Sequence, residues 1–345
     1  MTRKLSLGWL AAGLLVLLPA TSAIGDEGTL LRLKVKPGEV YRYGMSQEMQ
    51  LEMSMGQMGS QRSVSRNRVE VSYEVASVAE DGTIVINSTF VRTRVETDSP
   101  AGVAIMDTAD PPAEGEESSA ASVMRAMNGK TIQIVLTSRG EVLDVRGFDQ
   151  LWAALGAGAK DNPTYQYMIE ALKESFGPET IRQGAQQSIP LFPQEPVTPG
   201  SGWTQSMAMD VGTMGGMKAS TSYTMRGAST HAGRDCLELA TTVQLSADGE
   251  PPLLDQMRQM FAQQGATADV DWKFHDSSGQ GSLWLDRETG MVVENTSDLK
   301  MAMDMNMAIA KEGQRQEQMM SMTMDMHITF QLLAGPTTSG APATP

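Results

Sequence analysis

The chain has one cysteine, three histidines and few aromatic residues, 5% of 345 positions. A lone Cys236 forms no internal disulfide, so a disulfide-stapled fold is excluded and a packed core must supply the stability. The histidines, His231, His275 and His327, fall in no two-histidine metal spacing. His231 and Cys236 lie five positions apart, but Cys236 opens an apolar strand and reads as a buried, inert thiol. A G-x-S-x-G elbow, a P-loop and a dinucleotide fingerprint are all missing. The glycine-rich stretch 212–216 leads into a strand pattern, which offers no helix terminus to a phosphate. Asp107, Asp110, Glu114, Glu116 and Glu117 lack the spacing of a calcium loop. The expectation is a protein that is not an enzyme, with no catalytic residues, no cofactor and no metal site.

Positive charge is also scarce. Removing Arg3 and Lys4 from the 27 basic residues leaves 25 against 41 acidic ones, a formal charge of −16. Such a chain repels phosphate backbones, so no nucleic acid is expected as a partner. Beyond the N-terminus no apolar run is long enough to span a membrane as a helix. At the N-terminus, Arg3 and Lys4 precede an apolar run from Leu5 to Leu18, then Pro19 and the small residues "ATSAIG". That layout predicts a signal peptide over 1–25 and export to the periplasm or outside the cell. No cysteine follows the run, so no lipid anchor is expected there. An integral outer-membrane barrel is disfavoured, because it needs aromatic girdles that 5% aromatics do not provide.

What is abundant is methionine, 27 residues, set on strand-like alternation. Tyr41, Tyr43, Met45, Gln47, Met49, Leu51, Met53 and Met55 alternate with Arg42, Ser46, Glu48, Gln50 and Glu52, giving one dry and one wet face. Residues 299–309 place Met301, Met303, Met305 and Met307 on the face of Leu299 and Ile309. Residues 320–332 place Met320, Met322, Met324 and Met326 on the face of Ile328, Phe330 and Leu332. Met207 and Met209 share a face with Trp203 and Val211. Continuity with Ile, Leu and Phe marks these methionines as part of an apolar interior. A soft-metal site would not need it. Neighbouring sulfurs on one strand face stand about 7 Å apart, too far for one ion without ligands from adjacent strands.

The domain reading follows from composition. A β unit spans 26–147, with a mobile insertion at 97–121 rich in Pro, Ala, Ser and acid. A helical segment covers 148–189, split at Pro163. A Pro-rich linker covers 190–202, a second β unit 203–334, and a disordered tail 335–345. The second unit repeats the first in pattern. "STSYTMRG" answers "EVSYEVAS", "CLELATTVQLS" answers "TIVINSTFVRT", and a short helix at 252–264 replaces the insertion. The expected fold class is α+β, mainly antiparallel, with strongly curved sheets from two similar halves and helices packed on them.

"LRLKVKPGEVYRYGMSQEMQLEM", "GKTIQIVLTSRGEVLDVRG" and "GSLWLDRETGMVVENTSDLKMAM" resemble a family of exported bacterial β-rich proteins of unknown function. The resemblance runs over most of 30–333 and rests on turns and strand patterns, so it implies no functional residues. At the level of pattern the chain is also similar to the lipoprotein-carrier half-barrel fold, which implies an acyl-chain site. The functional expectation is an exported, non-catalytic protein that binds a lipid or other apolar ligand or partner on its Met-lined face. The candidates are Met49, Met53, Met55, Met207, Met209, Met301, Met303, Met305, Met307, Met320, Met322, Met324 and Met326. The alternatives are a structural or interaction module with a sealed core and a periplasmic Cu(I)-binding protein. No protein partner is identified by the sequence.

Overall fold

The structure is a computed structural model. It describes residues 28–338 apart from 55–58, 112–118, 159–172, 174–181, 187–188, 211–214, 264, 276 and 312–313. The signal peptide expected over 1–25, Met55 and the Pro163 break therefore lie outside the described residues.

Period-two sequence becomes strand almost wherever it occurs. The strands are β1 Glu39–Ser54, β2 Ser60–Val78, β3 Ile84–Ser99, β4 Gly102–Asp107, β5 Thr131–Leu136, β6 Val142–Arg146 and β7 Gly202–Asp210. They continue with β8 Gly216–His231, β9 Arg234–Asp248, β10 Thr267–Phe274, β11 Ser277–Asp286, β12 Val292–Lys311 and β13 Gln314–Thr338. The helices are α1 Ser119–Met127, α2 Phe148–Gly158 and α3 Pro252–Gln263; residues 182–186 are also helical.

All thirteen strands belong to one antiparallel sheet, ordered β6-β5-β3-β2-β1-β13-β12-β11-β9-β8-β7, with β4 on β3 and β10 on β12. The order β1-β2-β3-β5-β6 recurs as β7-β8-β9-β11-β12, each with an extra strand and helix inserted before the fourth member. The expectation of strongly curved sheets, as in a half-barrel, is corrected to one large, open sheet that is not strongly curled and has few short helices. The reason is β13. It pairs with β1 on one side and β12 on the other over most of its 25 residues. The register sets Met49 opposite Met326 and Met53 opposite Met322, so the methionines of β1 and β13 stand side by side on one face of the same sheet. Two halves that share such a ladder cannot remain separate sheets.

The main core lies at one end of the sheet. It joins Tyr41 and Tyr43 of β1, Leu136 of β5, Leu239 of β9, and Leu283 and Leu285 of β11. The Tyr43 hydroxyl donates to the Val292 carbonyl at 2.9 Å, and its ring stacks on Phe330 at 4.6 Å. Gly281 is required by close approach, since a Cβ there would lie 1.9 Å from the Thr296 carbonyl oxygen.

Three further expectations are corrected. Residues 97–107 are not a mobile insertion. β3 runs on to Ser99 and β4 pairs back on it, with Asp107 opposite Arg94. Buried Asp107 accepts from Arg92 Nε at 2.9 Å and Nη2 at 2.5 Å, which pins the hairpin. The Pro-rich 190–202 is a packed strap. Phe192 and Val197 are buried, Gln186 bonds the Val142 amide at the β6 edge, and Gln205 and Trp203 of β7 bond Leu191. Proline cannot extend a ladder, but here it lies across strand edges, where its carbonyls still accept: Arg32 reaches Pro193. Residues 335–338, expected in a disordered tail, finish β13 and reach β1 at Glu39 and Val40.

Candidate functional site

Three adjacent strands, β1, β13 and β12, bring the methionines together. Their registers create rows across the sheet: Met49 with Met326, Met324 with Met301, and Met53 with Met322 and Met303. β10 extends the rows, with Phe274 opposite Met303, Trp272 opposite Met305 and Val270 opposite Met307. The opposite face of the same strands is polar. Glu96, Arg66, Glu48, His327 and Asp298 form one row over five strands. Arg66 bonds Glu48 at 3.1 Å and Glu96 at 3.3 Å, and His327 bonds Asp298 at 2.7 Å. Such a row has the chemistry of a watered surface, not of a lipid-facing band.

The Met face is divided in two. α3 presents Leu254, Met257 and Phe261 at helical spacing and covers Val270, Met305 and Met307. Met305 is 6% exposed and Met307 9%, so this part is sealed. Arg258 holds the helix down through Glu250, Asp255 and the Val270 carbonyl. Beyond α3 the face opens. Met301, Met303, Met322, Met324 and Met326 are half-buried, as are Met49 and Met53. A cavity of about 210 Å³ lies among Met49, Met217, Phe274, Met301, Met303, Met322, Met324 and Met326. Gln47 is its polar neighbour, donating to Met326 Sδ at 3.2 Å.

Of the residues singled out from sequence, Met49, Met301, Met303, Met322, Met324 and Met326 meet at this cavity. Met53 sits in the same row as Met322. Met305, Met307 and Met320 belong to the cluster under α3. Met207 lies on β7, beside a shallow cleft lined by Ser206, Ser220, Gln244 and Ser278. Met209 pairs with Met217. Sequence reading missed Met217 and Phe274. The alternation of β8 identifies Met217 as inward-facing, but nothing local links it to β12.

The nucleophilic and titratable groups are engaged elsewhere. Cys236 is fully buried, burial raises its thiol pKa, and Sγ faces the His231 carbonyl at 3.9 Å. The His231 ring stacks on Trp284 and bonds Glu294 at 3.1 Å, so it does not serve the thiol. His275 bonds Asp304 at 2.8 Å. Among the described residues no three His, Cys, Asp or Glu side chains gather as a metal site, and no helix is long and apolar enough to cross a membrane.

These features define a class: a mainly antiparallel β protein with a polar outer face and a Met-lined cavity on the other. The chain belongs to the family described as "Family of unknown function (DUF6263)", whose match covers residues 81–292. No curated protein matches it. Among solved structures it is similar to lipovitellin, described under "Lipid-protein interactions in lipovitellin", at 10% identity and a TM-score of 0.42. That likeness covers 90% of this chain and 27% of the other, so the chain spans about a quarter of that protein's length. It is also similar to Pseudomonas aeruginosa OpdQ at 7% identity and a TM-score of 0.19, covering 86% and 99%. The COG4313 outer membrane channel from Pseudomonas putida F1 gives 6% identity and 0.19, covering 88% and 98%. Likenesses this faint have no bearing on function.

Proposed function

We propose that this chain is an exported, non-catalytic binding protein that holds an apolar chain, from a lipid or similar ligand, in the methionine cavity. The carrying observation is the unsealed part of the Met face. A helix covers Met305 and Met307, yet the same rows continue into an open cavity of about 210 Å³. Water in such a space has almost no polar partners, so an apolar guest gains by replacing it. Each methylene transferred contributes about 0.8 kcal/mol. Methionine suits the task because its unbranched side chain repacks around guests of different shape. Export is supported by the arrangement of Arg3, Lys4 and the apolar run after them. A non-catalytic role is supported by the buried thiol of Cys236 and by histidines paired with carboxylates.

The test is native mass spectrometry of the mature protein purified from its own host, followed by solvent extraction. The reading expects a co-purifying apolar species of defined mass that is lost when Met324 and Met301 are replaced by Asp. Repeated recovery of empty protein that also fails to bind added acyl chains sinks it.

One observation favours a second reading. Met53, Met322 and Met303 occupy one row on three adjacent strands, which supplies the neighbouring thioethers that Cu(I) coordination needs. Replacing all three by Leu keeps the apolar volume and removes the sulfur. A Cu(I) titration against a competing chelator that shows no tight, Leu-sensitive site rejects this alternative.

A further inference from the structure

We infer that the ligand of this cavity is an amphiphile with an uncharged, hydroxyl- or amide-bearing head, and that the head lies over β2. This rests on the apolar-chain reading above and adds the head-group class.

β2 runs beside β1 and faces the same way, yet its inward residues change character. Asn67 stands opposite Gln47, Ser65 opposite Met49, Ser63 opposite Leu51 and Gln61 opposite Met53. The methionine face is therefore bordered, one strand spacing of about 4.8 Å away, by a row of neutral hydrogen-bonding groups. β3 adds Thr97 to that border, opposite Ser65, while Val95 opposite Asn67 is apolar. Ser63, Ser65 and Asn67 are half-buried, whereas Arg62, Arg66 and Arg68, on alternate positions of the same strand, are exposed. These serine and asparagine side chains form no hydrogen bond with a described residue. They are free to serve a guest.

Charge is what this face lacks. From Tyr41 to Met53, Gln61 to Val75, Ala268 to Phe274, Asn295 to Ile309 and Gln316 to Phe330, every described inward position is apolar or neutral. The arginines of β2 point to the other side, where Arg66 is held by Glu48 and Glu96. Lys300 likewise faces Asp325 on the outer face. An ionised carboxylate or phosphate seated here would lose water without gaining a cation, a desolvation that disfavours it strongly. A glycerol-type or sugar-type head would instead exchange water for Ser63, Ser65 and Asn67.

The test compares three ligands that share a decanoyl chain: 1-monodecanoylglycerol, decanoate and lysophosphatidylglycerol. Each is titrated below its micellar concentration into the full mature chain at pH 7.5. We expect monodecanoylglycerol to bind at least tenfold more tightly than either anion. Ser65→Lys, which adds a cation at the border, should raise decanoate affinity and cancel that preference. Equal or tighter binding of decanoate or lysophosphatidylglycerol by the unaltered protein overturns the head-group inference while leaving the apolar-chain reading intact. Binding of none of the three overturns the apolar-chain reading, and the head-group inference with it. The comparison among ligands on unaltered protein decides the matter even if Ser65→Lys fails to fold.

Discussion

Truncating one methionine under α3 and another at the cavity measures how the Met face is divided. Met305 is 6% exposed and packs in the cluster with Leu254, Val270 and Met307. Met305→Ala removes a fully enclosed side chain whose neighbours are fixed by a helix and two strands. The cost for such a site is about 3 kcal/mol, the lost transfer energy together with the cavity left behind. Met324 is half-buried and borders a void that already exists. Its truncation enlarges open space and loses fewer contacts, so the cost is about 1 kcal/mol. Equilibrium urea unfolding, followed by tryptophan fluorescence and by circular dichroism, reads both values from the shift in midpoint at constant slope. A guest that fills the cavity should stabilise unaltered protein more than Met324→Ala and should leave the Met305→Ala penalty unchanged. Equal costs at the two positions, or a larger cost at Met324, would refute the division into sealed and open parts.

Three further outcomes follow from the same geometry. Arg92 bonded to buried Asp107 holds that carboxyl well below its usual pKa, with Arg94 and the Ala109 amide contributing. A depressed folded pKa stabilises above the unfolded value near 4 and fades as pH falls through the folded one, so Asp107→Asn should cost about 2 kcal/mol at pH 7 and flatten acid unfolding curves. Burial pushes the Tyr73 and Tyr223 hydroxyls up to about 12 and raises Tyr41 and Tyr43 as well. Of six tyrosines, these four should therefore stay protonated in an ultraviolet titration until alkali unfolds the chain. Stability from them is present below pH 10 and is lost as pH rises; ionisation of all six near pH 10 in folded protein contradicts the burial. Gly281→Ala places a Cβ against the Thr296 carbonyl and should cost about 3 kcal/mol or abolish soluble expression, whereas Gly156→Ala, inside α2 with open space around it, should stabilise by about 0.5–1 kcal/mol.

Much of the fold was legible because strand alternation is a local signal. Tyr41 through Met53 and Leu299 through Ile309 announce their faces without reference to any partner. The recurrence of β1-β2-β3-β5-β6 in β7-β8-β9-β11-β12 was also legible, since hairpin connections keep neighbours in sequence adjacent in space. What escaped depends on distant pairing. That β1 lies on β13, nearly 280 positions away, is not encoded near either strand, yet it fuses the halves into one sheet. Composition misled at three places for one reason: Pro, Ala, Gly and Ser describe how a segment behaves alone. Arg92 and Arg94 order β4, and Arg32, Arg139 and Gln205 order the strap at 190–202. The β1 edge orders residues 335–338. The methionine face was visible in sequence, but its division was not, because the helix that seals Met305 and Met307 lies some 50 residues earlier.

Methionine methyl NMR tests the binding site most directly. Protein labelled with ¹³C at methionine methyls and assigned by Met→Leu substitution would be titrated with monodecanoylglycerol. Saturable shifts should appear at Met49, Met301, Met303, Met322, Met324 and Met326, while Met305 and Met307 stay still. Shifts at none of the cavity methyls under saturating ligand, or shifts spread evenly over all methionines, would contradict a defined apolar site on this face.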